Sequence, residues 1–136
     1  ITALTFAAKR GVDVKLILPH IPDKKFVFAL AKSHYKELLK AGVRIYEYTP
    51  GFVHAKIFTS DDEKAVVGTI NLDYRSLYLH FECAAFLYQV EEIAVIEKDF
   101  QRTLEKCQEV TLENRKKGTF FLRLEGWLLK WLAPLM

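Results

Sequence analysis

The alternation of Val12, Val14, Leu16 and Leu18, halted at Pro19 and followed by a helical stretch closed by Gly42, constrains this chain more than any other feature. Period-two alternation predicts a strand over residues 12–19. Pro22-Asp23 then opens a helix running to about Lys40, with Phe26, Val27, Leu30, Ala31, Leu38 and Leu39 along its apolar stripe and Gly42 in a C-cap position. Val43 to Tyr48 reads as the next strand. Strand, helix and strand in that order demand a crossover connection and a partly parallel sheet. Upstream, residues 2–10 are Ala-rich and helix-prone, closed by Gly11. Downstream, beyond the turn at Pro50-Gly51, Val53 to Phe58 and Ala65 to Thr69 are expected to form a hairpin around the polar turn Asp61-Asp62-Glu63. Glu82 to Tyr88 reads as a buried strand and Glu91 to Glu109 as a helix. The expected fold class is therefore α/β, a mixed β-sheet flanked by helices.

Composition narrows the setting. With 136 residues the chain is long enough for one domain with a proper core, and its 51% hydrophobic and 27% charged content is that of an ordinary globular protein. A net charge of +3 does not demand nucleic acid and also suits an anionic membrane surface. Cys83, in an expected strand, and Cys107, on an expected helix, form no disulfide framework and read as buried thiols. No apolar run reaches the ~18 residues that span a bilayer, and no signal peptide is visible. Opening at Ile1 in mid-pattern, the chain reads as a piece of something longer.

The chemistry concentrates between His54 and Glu82. In a strand, His54 and Lys56 share a face and stand about 7 Å apart, a separation that suits one phosphate bridging a ring nitrogen and an ammonium. With Asp61-Asp62 at the tip of a tight hairpin, Thr69 lies opposite His54, and Asn71 falls one step further on the same side. A lone histidine in a strand is more often a hydrogen-bonded structural residue. Here position, spacing and geometry agree on a phosphoryl site. Neutral imidazole serves as a nucleophile and leaves a phosphohistidine. Lys56 would hold the non-bridging oxygens as a point charge, Asn71 would donate to them, and Thr69 would add a hydroxyl contact. Asp61, at the turn, reads as a residue that caps backbone N–H groups. Arg75 is expected to pair with Asp73 or to meet a substrate phosphate. His20, His34 and His80 lack metal-ligand spacing, so no metal and no cofactor are expected.

The pattern His54-x-Lys56-x4-Asp61 followed by Gly68-Thr69-x-Asn71 resembles the HKD signature of the phospholipase D superfamily. The longer run from Gly68 through Asn71-Leu72-Asp73-Tyr74-Arg75-Ser76 to His80-Phe81-Glu82 is similar to the cardiolipin synthases of bacteria, as are Gly11 to Val14, Gly42 to Tyr48 and Gly51-Phe52-Val53. The resemblance fades after about Gln108. It implies a phospholipase D-like domain over 1–110, here the second of two HKD halves that follow amino-terminal membrane segments. It implies catalytic roles for His54, Lys56, Asp61, Asn71 and Glu82, with Glu82 as acceptor for the second ring nitrogen of His54. It also implies transfer of a phosphatidyl group between two phosphatidylglycerol molecules, with release of glycerol, at the cytoplasmic face of a bacterial cell membrane. The other His, Lys and Asn would come from the amino-terminal half or from a symmetric second copy, so the chain alone is expected to be inactive. No nucleic-acid partner is expected.

Residues 111–136 are expected to form a basic, amphipathic helical tail. Phe120, Phe121, Leu124, Trp127, Leu128, Trp131 and Leu132 fall on one helical face, with Lys116, Arg123 and Lys130 on the other. Such a helix either packs on the domain or lies in lipid headgroups. Two other readings stand beside the synthase: a phospholipase or nuclease of the same superfamily, in which water replaces the acceptor alcohol, and a non-catalytic half-domain that binds membranes or partners.

Overall fold

The structure, a computed structural model, describes residues 1–116. Its elements run α1 (Thr2–Lys9), β1 (Lys15–Pro19), α2 (Lys25–Ala41), β2 (Arg44–Tyr48), β3 (Lys56–Ser60), β4 (Lys64–Gly68), a π-helical turn (Arg75–Leu79), β5 (Ala84–Tyr88), α3 (Glu92–Leu104), β6 (Cys107–Val110) and α4 (Leu112–Lys116). The fold class is the expected α/β. The described strands fall into two three-stranded sheets, ordered β1-β2-β6 and β3-β4-β5. Among the described residues, chain contacts divide the molecule into two compact units, one built from Ile1–Val53 with Lys106–Lys116, the other from His54–Glu105.

In the first unit the crossover is present as expected: β1 and β2 pair parallel, Leu16 beside Ile45, with α2 as the connection. Pro19 ends β1, an edge strand, where its missing N–H leaves no gap in the ladder. The core gathers Tyr35 and Leu38 of α2 with Val43 and Ile45, and Leu4, Ala8, Leu16, Leu18 and Val110 pack against it. Each such large side chain taken from water contributes about 1.5–3 kcal/mol. Helix α2 ends where Gly42 adopts φ +96°, allowing Gly42 N–H to reach Leu39 O and Val43 N–H to reach Leu38 O. Its start differs from expectation. The first turn begins at Lys25 rather than Pro22-Asp23, no side chain caps it, and Phe26 and Val27 face water instead of the core.

A second difference lies after α3. The predicted helix to Glu109 stops at Leu104, and Cys107–Val110 forms β6, antiparallel to β2. Pairing overrides helical propensity there: Ile45 lies beside Val110, and Arg44 Nε donates to Glu109 Oε1 at 3.4 Å. Cys107 is thus on a strand, half-buried, and burial pushes its thiol up; Cys83 is exposed, not buried, and neither is disulfide-bonded.

The second unit is an antiparallel meander, β3-β4-β5, with α3 packed on β3; Ile93 of α3 is buried, and Thr59 Oγ1 donates to Glu97 Oε2 at 2.9 Å. Ala65 of β4 is buried. In the stretch 111–136, α4 and its first residues are described; the expected amphipathic helix over Phe120 to Leu132 lies outside the described residues.

Candidate active site

The meander brings one end of three strands together. Its register sets Lys56 beside Gly68 and Gly68 beside Ala84, so the first residue of β3, the last of β4 and the first of β5 form one row. At a strand spacing of about 4.8 Å, the row spans roughly 10 Å. His54 precedes the row by two residues, Thr69 and Asn71 follow it, and Glu82 leads into it. Asp61 sits at the opposite end of the hairpin, about 16 Å away along β3.

The turn corrects the expected register. Ser60 pairs with Lys64, leaving a three-residue loop in which Asp61 and Asp62 take φ +55° and +57°. Aspartate tolerates this left-handed region better than most residues. One residue more in the turn shifts the pairing by one, so Thr69 does not lie opposite His54. His54 also precedes the ladder, which starts at Lys56. Lys56 nevertheless turns toward it, its Nζ donating to the His54 carbonyl oxygen at 2.6 Å. His54 and Asn71 are exposed. Asp61 accepts a bond from Ser60 Oγ at 2.9 Å, a side-chain contact rather than the backbone cap expected of it.

Thr69 extends the row by one pair. Its N–H donates to Cys83 O at 3.0 Å, and Cys83 N–H donates to Thr69 Oγ1 at 3.1 Å. The Thr69 hydroxyl in turn donates to Glu82 Oε2. That bond, then one from Ser76, with the Lys56 charge a smaller contribution, hold the Glu82 carboxyl below the ordinary glutamate range. Gly68 makes this closeness available. A Cβ there would run into the Cys83 carbonyl oxygen and the Cα and Cβ of Ala84.

Between Asn71 and Glu82 the chain makes its π-helical turn, closed by His80 N–H on Arg75 O at 2.7 Å and entered through Ser76 N–H on Asp73 Oδ1 at 2.8 Å. Arg75 does not pair with Asp73. Its Nε and Nη2 lie 3.0 and 2.8 Å from His80 Nε2, which fixes that nitrogen as an acceptor and puts the imidazole proton on Nδ1. His80 and Ser76 are therefore part of the site. Neither residue is assigned a role from the sequence, where His80 enters only as a histidine without metal-ligand spacing. Among the described residues no group of three or more His, Cys, Asp or Glu side chains is placed to hold a metal.

An exposed imidazole, an ammonium, a carboxamide and an ionised carboxylate at one sheet end are groups with which phosphoryl chemistry can be carried out. Residues 1–104 match the family model described as the phospholipase D-like domain of cardiolipin synthase. The chain belongs to this family. Across its whole length it is 40% identical to a cardiolipin synthase of Halalkalibacterium halodurans, of which it covers 27%. It is 58% identical over 134 residues to a Streptococcus mutans protein of unassigned function, covering 29% of that protein. The chain thus spans under a third of the length of these relatives. In structure, this phospholipase D-like domain is similar to a crystal structure of a phospholipase D family member, Nuc, from Salmonella typhimurium. The TM-score is 0.68 at 18% identity, covering 80% of this chain and 71% of the other, a likeness of fold. Among the described residues no helix is long and apolar enough to cross a membrane.

Proposed function

We propose that this chain supplies one half of the active site of a phosphatidyltransferase that joins two phosphatidylglycerol molecules into cardiolipin and releases glycerol. The observation that carries the reading is the row Lys56, Gly68, Ala84, which gathers His54, Lys56, Asn71 and Glu82 at one sheet end, in a chain aligned throughout with a cardiolipin synthase. In this mechanism a ring nitrogen of His54 attacks the phosphorus of the first lipid. The bond to the glycerol oxygen breaks, glycerol leaves with a proton from a general acid, and a phosphatidyl-histidine remains. The primary hydroxyl of the second phosphatidylglycerol then attacks phosphorus, gives up its proton, and frees His54. Lys56 and Asn71 stabilise the charge on the non-bridging oxygens. Glu82, kept ionised by Thr69 and Ser76, accepts from the second ring nitrogen of His54 and holds its tautomer. Arg75, drawn from His80 to lipid phosphate, is a substrate contact.

The leaving alcohol needs an acid on the far side of phosphorus. The proposed source is a second His-Lys-Asn set, from the amino-terminal half of the parent enzyme or from a symmetric second copy. The reaction would take place at the bacterial cell membrane, where both substrates reside. The exposure of His54 favours one second reading, hydrolysis, with water in place of the second lipid.

One experiment tests both. The full-length parent is incubated with phosphatidylglycerol labelled in its phosphate, quenched, and digested. Acid-labile label on His54 together with labelled cardiolipin supports the transferase. Label on His54 with phosphatidic acid as the product points to hydrolysis. Cardiolipin formed without label ever appearing on His54 removes His54 as the nucleophile.

A further inference from the structure

The segment joining β1 to α2 presents Ile21, Phe26 and Val27 at 48, 60 and 49% exposure. Lys24 and Lys25, both exposed, stand between them, with Asp23 as the opposing charge. Phe26 and Val27 belong by pattern to the helix's apolar stripe, yet in the first turn of α2 they are exposed. Three large apolar side chains and two cations therefore face water within residues 21–27.

The base of this segment is held firmly. His20 N–H donates to Tyr48 O at 3.2 Å, and His20 Nδ1 lies 2.8 Å from Glu47 Oε2. Glu47, only 6% exposed, also accepts from Tyr35 Oη at 3.1 Å and pairs with Lys32 Nζ at 3.3 Å. On the far side the first turn of α2 is closed by Phe28 N–H on Lys24 O at 3.0 Å. A tip anchored at both ends loses little freedom when it docks.

We propose that this segment seats the chain on an anionic lipid bilayer, with Ile21, Phe26 and Val27 entering the headgroup–acyl boundary and Lys24 and Lys25 lying against lipid phosphates. The charge pattern selects that occupant. Centres of protein–protein interfaces are depleted in lysine. Elements lying in a membrane surface mix lysine with large apolar side chains, because the long stem lets the ammonium stay among the headgroups. Each lysine near an anionic surface adds attraction that salt weakens.

The surface lies outside the residues of the proposed transfer, and its lipid need only be anionic. The test therefore uses phosphatidylserine rather than phosphatidylglycerol, so its outcome is separate from that of the labelling experiment. The full chain is sedimented with phosphatidylcholine vesicles, with and without phosphatidylserine, beside Phe26→Ser/Val27→Ser and Lys24→Glu/Lys25→Glu. Thermal melting of each variant checks that it folds like wild type. The apolar double variant is expected to lower the partition coefficient on the order of tenfold. The charge-reversed pair is expected to lower it at least tenfold or so and to abolish the preference for phosphatidylserine. Folded variants that partition like wild type overturn the proposal. So does wild-type binding that ignores phosphatidylserine. Self-association of wild type in vesicle-free solution, lost in both variants with no change in vesicle binding, would assign the tip to a second copy instead.

Discussion

Glu82 shows how a single side chain is set for its task. The Thr69 hydroxyl is its strongest partner, Ser76 the next, and both favour the ionised form. A value below the ordinary 4.5 means that Glu82 steadies the folded state at pH above that figure. The contribution disappears as pH falls through the lowered value. A carboxyl titration followed by carbon NMR should give a midpoint for Glu82 below 4.5, and Thr69→Val should move it upward. A midpoint unmoved by Thr69→Val would detach the two residues. For His54, replacement by Asn in the parent enzyme is expected to abolish turnover without altering the melt. Loss of a general acid or base alone costs roughly 10²–10⁴-fold, and loss of a nucleophile more. A variant retaining a tenth of wild-type activity would exclude His54 as the nucleophile. At this scale the sequence was partly legible. His54, Lys56, Asn71 and Glu82 stood out through spacing and resemblance. His80 and Ser76 did not, because a π-helical turn brings them to Glu82 and its one extra residue per turn leaves no periodic trace.

The hairpin is the element on which the site depends, and two substitutions separate its ends. Gly68→Ala should destabilise the fold by about 1–3 kcal/mol, since the added methyl meets backbone that cannot retreat without opening the β4–β5 ladder. Denaturant unfolding measures this, and a neutral substitution would mean that β5 sits further from Gly68 than described. Asp61→Asn, at the other end, keeps a side chain suited to left-handed backbone and loses a charged acceptor for Ser60. It is expected to cost at most about 1 kcal/mol and to leave turnover intact. If the variant melts like wild type but is dead, Asp61 acts in catalysis despite its distance. The elements themselves were mostly readable from alternation and breakers, as β1, α2 and β2 show. The turn length was not, because two left-handed aspartates look the same in sequence as a two-residue tip. Nor was β6, whose Gln108 and Glu109 continue the polar pattern of the preceding helix and whose strand geometry comes from β2.

For the molecule as a whole, a single His-Lys-Asn set has a measurable consequence. Activity of the isolated chain is expected to be absent at low concentration, and any that appears at high concentration should rise together with a dimer seen by sedimentation. Co-expression with the amino-terminal half should restore transfer. Robust transfer by a sedimenting monomer would show that one set is enough. The fold class was legible at this scale, in the strand–helix–strand order of β1, α2 and β2. The architecture of two three-stranded sheets was less so, since alternation identifies strands but not the neighbours they choose.

The outer edge of β5 has a practical consequence for anyone producing this chain. Ala84 to Tyr88 pairs with β4 along one side, and among the described residues the other side has no ladder partner. Phe86 and Tyr88 stand exposed on this strand, which carries neither charge nor proline. Such an edge is a ready template for strands of neighbouring molecules. Edge-to-edge pairing, rather than unfolding of the core, is therefore expected to limit the chain's life in concentrated solution.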